Sequence, residues 1–396
     1  MNEERPRGVE PVVLSLNVGS SSLKFALFRF SADGEMRIAD GAIDRIGLDG
    51  TRLRLRRSDG PTYERDEHFA NREAAIVAAF AAMKEQHLPD PGAVGHRLVH
   101  GGPRHFLPER VDHALLASLR EVVRFAPLHL PTELDAIDVV AARFPGMPQV
   151  ACFDTAFHER LPEVARRLPI SRALHDEGVH KYGFHGLSYE YVVTKLGAAR
   201  LGRRAILAHL GNGASMTAVL DGESIDTTMG FTPTGGLMMG TRTGDLDPGV
   251  LLYLLSAGYD ARRLQATVDE GSGLLGVSGT TSDMKALLER RGDDARCALA
   301  IDMFTYRIRK SIGAFVAALG GVDTLVFTGG IGEHAPPVRA ECCRGLECFG
   351  IRLDAARNEA SADVVSTADS PCSVRVVPTD EELMIARHTR DLARTP

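Results

Sequence analysis

Several short strings set a polar side chain among glycines or apolar residues, where it needs a partner or a function. In Gly95-His96-Arg97-Leu98-Val99-His100-Gly101-Gly102, an extended backbone turns Arg97 and Val99 to one face and His96, Leu98 and His100 to the other. A cation beside a small apolar group suits a short carboxylate with an alkyl tail; the alternative for Arg97 is a structural ion pair. His96, His100 and His105 read either as metal ligands or, more simply, as hydrogen-bonded structural histidines. Ala126-Pro127-Leu128-His129-Leu130-Pro131 carries one histidine, and Cys152-Phe153-Asp154-Thr155 ends an apolar run on an aspartate. Gly183-Phe184-His185-Gly186 and Gly240-Thr241-Arg242-Thr243-Gly244 set a histidine and an arginine between glycines. Any one of these reads equally as structural. Together they are the parts for moving a phosphoryl group to a small acid, with cations to offset charge and groups to position it.

The elements that must hold these residues are short strands, tight turns and helices. Val12 to Leu16, the turn Asn17-Val18-Gly19-Ser20-Ser21-Ser22 and Leu23 to Phe28 predict a hairpin. The same grammar returns in Ala205 to Leu210, Gly211-Asn212-Gly213-Ala214-Ser215 and Met216 to Leu220. This suggests either an internal duplication or a chance likeness of two hairpins. Thr324 to Thr328 reads as a buried strand, followed by Gly329-Gly330-Ile331-Gly332-Glu333-His334 and a helical pattern. Such an arrangement presents backbone N–H groups to a phosphate or nucleoside. Helices are expected over Arg72–Gln86, Thr132–Arg143 and Asp294–Leu319, and from Thr379, boxed by Glu382, to about Ala393. Thr51 to Arg57 alternates Arg with Leu, as a solvated hairpin or a basic strip would. Strands and helices interleave, so the class is α/β.

The chain has 396 residues, 44% hydrophobic and 25% charged, enough for two cores and unlike a disordered chain. A net charge of −6 gives no general attraction to nucleic acid or an anionic membrane. The N-terminus is polar, with no signal peptide in view, and no run approaches a membrane span. The six cysteines, with Cys342, Cys343 and Cys348 clustered, read as reduced thiols of a cytoplasmic protein. The Walker phosphate loop, H-E-x-x-H and G-x-S-x-G are absent, and the Gly329 segment does not fit G-x-G-x-x-G.

Taken in order, LNVGSSSLKF, GHRLVHGG, APLH, FDTAFH, YGFHG, HLGNGAS, MGTRTGDLDPG, TSDMK, FTGGIGEH and PTDEELMIA closely resemble the motifs of the acetate kinase family, from about Val12 to about Ala386. The resemblance implies the superfamily of sugar kinases, actin and heat-shock chaperone ATPases. The expected fold is two duplicated actin-like, ribonuclease H-like α/β domains with an inter-domain active-site cleft. One domain would span 1–154 with about 388–396, the other 155–387 with the second phosphate loop and adenosine motif. Carried over by residue, the resemblance makes Asn17 and Glu381 the magnesium positions and Lys24 a nucleotide contact. Arg97 would bind the acyl carboxylate, Asp154 would be the essential acid, His185 and Arg242 would stabilise the transition state, and His129 would be a further catalytic histidine. His209, Leu210, Gly211, Asn212 and Gly213 would form the second phosphate loop. Asp283, Met284 and Lys285 would contact adenosine, with Gly330, Ile331, Gly332, Glu333 and His334 as the adenosine loop. Val99, Leu128, Phe184 and Pro233 would line the methyl pocket.

The reaction this resemblance implies is Mg²⁺-dependent transfer (Mn²⁺ being an alternative) from ATP to acetate, giving acetyl phosphate and ADP, in a cytoplasmic homodimer. A carboxylate is already ionised at pH 7, so it needs no general base; Asp154 then reads chiefly as a metal and geometry group, and no phosphoenzyme is required. The chain departs from the family at Leu130, Thr234-Gly235-Gly236, Lys285, Asp380, Leu187 and Tyr189, which bears on acyl-chain and nucleotide preference. The rivals are a propionate or butyrate kinase with the same chemistry, and a non-catalytic nucleotide switch. Keeping both Arg97 and Arg242 argues against a switch, which has no use for a carboxylate clamp. A sugar kinase fits less well, there being no Trp and only 6% aromatic residues.

Overall fold

The structure is a computed structural model, and it describes residues 12–19, 22–32 and 34–393. Ser20 and Ser21 of the first turn, and the N-terminal segment read for a signal peptide, lie outside the described residues. The chain forms two compact units, Met1–Ala156 with Asp380–Pro396, and Phe157–Thr379.

The first unit is built on β1 (Val13–Val18), β2 (Ser22–Ser31), β3 (Gly34–Asp44), β4 (Arg52–Arg57), β5 (Thr62–Asp66), β6 (Ala93–Leu98), β7 (Glu109–Arg110) and β8 (Gln149–Phe153). Their order in one sheet is β5-β4-β3-β2-β1-β6-β8-β7. β1 to β5 form an antiparallel meander, while β6 and β8 run parallel to β1. On one face the alanine-rich stripe of the helix Arg72–Glu85 (Ala75, Ile76, Ala79, Ala82) packs with Leu14, Leu16, Phe25, Leu53 and Leu55. The other face of β1 and β2 offers Val13, Ala26 and Phe28 to Ala386 of the helix Glu381–Ala393. That helix lies so close to β6 that a Cβ on Gly95 would fall 2.1 Å from Thr389 Oγ1. β4 and β5 are the solvated hairpin: Leu53 and Leu55 are buried, and Arg52 and Arg56 point outward to Asp66 and Asp40. Their charge is thus neutralised in place, which removes the basic-strip alternative.

The second unit holds β9 (Arg204–Leu210), β10 (Ala214–Leu220), β11 (Glu223–Thr227), β12 (Thr324–Thr328) and β13 (Ser373–Val376), in the order β11-β10-β9-β12-β13. β9 to β11 are antiparallel; β12 runs parallel to β9 and β13 to β12. Numbering each core by its own chain order gives 3-2-1-4-5 twice, β3-β2-β1-β6-β8 and β11-β10-β9-β12-β13. Shared topology on top of shared hairpin grammar makes duplication the reading to keep, and chance likeness is set aside.

Two details differ from expectation. The C-terminal segment joins the first unit from Asp380 rather than about 388, because the helix Glu381–Ala393 packs on that sheet along its length. Its N-cap is not Thr379. Asp380 Oδ1 accepts from Leu383 N at 3.0 Å, and Thr379 bonds Ser188 instead. The long helix Ala295–Leu319 starts as expected, Asp294 accepting from Arg296 N. No helix among the described residues is long and apolar enough to cross a membrane.

Candidate active site

Register explains the first cluster. β1 pairs with β2 so that Asn17 faces Lys24, and with β6 so that Leu16 neighbours His96 and Asn17 leads to Arg97. β6 pairs with β8 through Leu98 and Phe153, and just beyond, Asp154 N donates to Leu98 O at 2.9 Å. Side chains alternate along each strand, so Lys24, Asn17, Arg97 and Asp154 share one face at one end of the sheet. The first turn of the helix Glu381–Ala393 lies over the same end: Glu381 Oε2 is 3.9 Å from Arg97 Nε.

Arg97 is the hub. Its Nε donates to Asp154 Oδ1 at 2.9 Å, its Nη2 pairs with Asp154 Oδ2, and its Nη1 donates to Asn17 Oδ1 at 3.1 Å. Burial alone would lower its pKa, but the Asp154 and Glu381 carboxylates outweigh that and raise it. Burial raises the Glu381 carboxyl, with Arg97 and Lys24 pulling it down and Asp154 and Asp380 pushing it up. Glu382 is also raised, burial first and Glu381 second. Lys24 lies on the exposed side of β2. The amide oxygen of Asn17 and the carboxylate of Glu381 are hard donors in a pocket richer in carboxyls than in cations. This donor set fits a small divalent ion that keeps much of its own water and takes further oxygens from a phosphate. A dedicated cage is absent: no group of three or more His, Cys, Asp or Glu that could hold a metal occurs among the described residues.

The histidines considered as a metal set serve the structure. His96 Nε2 bonds Gln149 Oε1 at 2.7 Å, and burial lowers its pKa to about 4, opposed by that bond. His100 Nδ1 accepts from Gly102 N, and His105 bonds Glu109 and Ser118. His129 stands at the N-cap of the helix Leu130–Arg143, with Leu128 just before it and 42% exposed, whereas Val99 is buried.

The second cluster forms on β9 and β10, where His209 faces Ser215 across the hairpin. His185 takes a left-handed backbone, φ 60°, at the start of the helix Gly186–Leu201. A non-glycine residue rarely adopts this conformation, and it turns the ring back toward the hairpin. His185 Nδ1 bonds Ser215 Oγ at 2.8 Å, Ser215 bonds Tyr189 OH at 2.5 Å, and the rings of His185 and His209 stack 4.3 Å apart. His209 Nδ1 bonds Ser188, which also holds Thr379. Arg242 Nη1 donates to Pro233 O at 3.1 Å. The Cβ that Gly213 lacks would lie 3.5 Å from His185 Nε2 and 3.8 Å from Arg242 Nη1. A ring nitrogen and a guanidinium therefore converge on the space above the second glycine turn. Asn212 closes that turn on Gly240, its O accepting Gly240 N at 2.9 Å. Phe184 is buried and Pro233 half-buried beside the same loop.

The adenosine-type segments are built more plainly. Asp283 caps the helix Met284–Arg290, accepting from Lys285 N and Ala286 N. Where a glycine turn was expected, Gly329–His334 is a short helix: Glu333 Oε1 accepts from Gly329 N at 2.9 Å and Thr379 N at 3.1 Å, and His334 is exposed. Four residues to which the sequence reading gave no role support these clusters, each within its own unit. Glu133 bonds Val99 N, Ser215 and Tyr189 bear on His185, and fully buried Arg339 donates to Gly332 O and Glu333 O. Of these, Ser215 carried a signal as the end of the second glycine turn and Tyr189 as a departure from the family pattern; Glu133 and Arg339 carried none.

The acetokinase family profile matches residues 12–387. The acetate kinase of Rhodopseudomonas palustris CGA009 is 45% identical over 394 residues, covering 96% of this chain and 98% of that one. That of Heliobacterium modesticaldum is 42% identical over 400 residues, covering 97% and 100%. Among solved structures, Porphyromonas gingivalis acetate kinase superposes with a TM-score of 0.86 at 38% identity, covering 97% and 100%. A Francisella tularensis propionate kinase gives 0.90 at 33% identity, covering 96% and 100%. The chain belongs to the acetokinase family and has its actin-like ATPase fold.

Proposed function

We propose that this member of the acetokinase family transfers a phosphoryl group reversibly between ATP and acetate, giving acetyl phosphate and ADP by direct in-line attack. The observation that carries the reading is how Arg97 divides its donors. A guanidinium has five N–H groups, and three here are spent on Asp154 and Asn17. The remaining two, on Nη1 and Nη2, form an edge that matches a carboxylate bidentately. Asp154 fixes the direction of that edge, so its part is geometric; the acid arrives ionised and needs no base. Val99, Leu128, Phe184 and Pro233 supply apolar surface for the methyl group, and His129 stands beside Leu128 as a further active-site group. Arg242 and His185 Nε2, converging above Gly213, offset charge on the transferring phosphoryl.

His209 to Gly213 cradle the phosphates with Lys24, and Asp283 to Lys285 with Gly330 to His334 hold adenosine. Asn17 and Glu381 would hold Mg²⁺ or Mn²⁺, which supplies charge neutralisation to the phosphates. Propionate is the second reading, favoured by the superposition on a propionate kinase; one methylene changes selectivity only about 10- to 200-fold.

The test is acyl phosphate trapped with hydroxylamine from ATP, Mg²⁺ and acetate, then propionate and butyrate, with Arg97→Ala as control. Acetate-dependent product that collapses in the mutant, by about 100-fold or more in kcat/KM, supports the reading. Nucleotide binding without turnover on any short acid points to the switch.

We propose further that the chain acts in the cytoplasm, in keeping with six free thiols, and as a homodimer. The helix Pro248–Ser256 reads PGVLLYLLS yet buries no residue in the monomer, with Leu252 67% and Tyr253 69% exposed. A second copy would cover this apolar face. Sedimentation of Leu252→Glu/Tyr253→Glu should give monomer where the parent gives dimer; a monomeric parent refutes it.

A further inference from the structure

Glu133 is a buried carboxyl for which the proposed reaction has no use. It sits in the first turn of the helix Leu130–Arg143, where a glutamate ordinarily reaches solvent and favours the helix dipole. Here it is 3% exposed, and its Oε2 accepts from Val99 N at 3.0 Å. That N–H belongs to the peptide joining Leu98 to Val99, directly beyond the end of β6. The carbonyl of the same peptide accepts Asp154 N at 2.9 Å. One peptide unit is therefore held from two sides, by Asp154 and by Glu133, and Arg97 and Val99 flank it in the chain. The helix end is fastened equally well: Glu133 N donates to His129 O at 3.2 Å, and Leu128 is the next residue back.

We infer that Glu133 is a positioning and specificity-determining residue, which ties Val99 to the turn carrying Leu128 and His129 and so sets how long an acyl chain the acid site accepts. The inference rests on the proposed kinase reading, since it assigns Val99 and Leu128 to the acyl pocket. A hydrogen bond between the strand end and the helix start fixes the gap between two apolar walls. Hydrophobic contacts alone are non-directional and would leave that gap adjustable.

The chemistry of the group agrees with this role. Burial pushes the Glu133 carboxyl up to about 8, against the Val99 N–H and Arg97, with Asp154 adding to the rise. At pH 7 it is a neutral acid whose carbonyl oxygen accepts the N–H, so it does not compete for the Arg97 fork. Glutamine reproduces that state in shape and acceptor.

The test compares parent, Glu133→Gln and Glu133→Leu in the hydroxylamine assay, with acetate, propionate and butyrate, and with ATP varied separately. Glu133→Gln should stay within about 2-fold of the parent on every acid. Glu133→Leu should raise the acetate KM about 10-fold, the scale of one lost buried hydrogen bond. The ATP KM should not change, and the propionate-to-acetate ratio of kcat/KM should rise several-fold as the pocket loosens. A folded Leu variant with the parent's ratio overturns the inference, as does one in which ATP and acetate KM move together. If the Leu variant does not fold, Glu133→Asp takes its place: one methylene shorter, it should shift the same ratio, and an unshifted ratio overturns the inference. A parent without acid-dependent turnover overturns the kinase reading itself, whereas an active parent with an unmoved ratio removes only the role of Glu133.

Discussion

Glu133→Gln should stabilise the protein, and by an amount that grows with pH. In the folded chain burial holds this carboxyl at about 8, against an ordinary value of 4.5. Folding at neutral pH must therefore return a proton to a group that is ionised in the unfolded chain. The stability it allows is fully present below about pH 4.5 and is lost as pH rises toward 8, after which no more is lost. Glutamine has nothing to ionise. The difference between variant and parent should rise by about 1.4 kcal/mol per pH unit across that window, reaching about 5 kcal/mol once it is crossed. Any fixed offset from the amide itself is the same at every pH and drops out of the slope. Urea titrations of both proteins at pH 5, 6, 7 and 8, following the transition of the first unit, measure it. A difference that stays flat from pH 5 to 8 would refute the reasoning: Glu133 would then be ionised in the fold, drawn to Arg97, and glutamine would no longer mimic it.

Two more outcomes rest on buried polar groups. Arg339→Leu removes donors from Gly332 O, Glu333 O and Asn358 O and should cost about 3 kcal/mol or more, because those carbonyls stay buried; thermal unfolding reads the loss. Arg339→Lys, with a point charge in place of a fork, should raise the ATP KM and leave the acetate KM alone, and equal changes in both would remove its link to the Gly329–His334 helix. Tyr189→Phe deletes the hydroxyl on Ser215 and should lower kcat about 10-fold through a poorly aimed His185, with the acetate KM unchanged; an unaltered kcat would count against a positioning role for Tyr189.

Legibility followed range. The glycine turns, both hairpins and the strand before Gly329 were readable because a few adjacent residues decide them. The repeated hairpin hinted at duplication, and the shared strand order required the register of distant strands. Arg97, Asp154 and Asn17 were each visible as polar residues in odd company, but their mutual bonds join positions 17, 97 and 154, which no local pattern connects. Glu133 and Arg339 were invisible for a different reason. Each lies in a helix at a position that reads as solvated, and only tertiary packing turns it inward. The cap at Asp380 was missed because Thr379 had a competing partner, Ser188, 191 positions away.

The same partition of donors that hides Arg97's role in sequence also accounts for the kind of acceptor the site should take. A hydroxyl acceptor must lose a proton as it attacks, and a site built for one needs a free carboxylate as base. Among the described residues the one buried aspartate is Asp154, and both its oxygens are committed to Arg97. The two other carboxyls that act on Arg97, Glu381 and Glu133, are both pushed up by burial. A cluster so arranged holds the guanidinium still. An acceptor that is already an anion asks for nothing more, whereas a sugar hydroxyl would find its base engaged. On the proposed reading, the preference for a carboxylate over an alcohol rests on how Asp154 is used, and the choice among carboxylates on how Glu133 holds Val99.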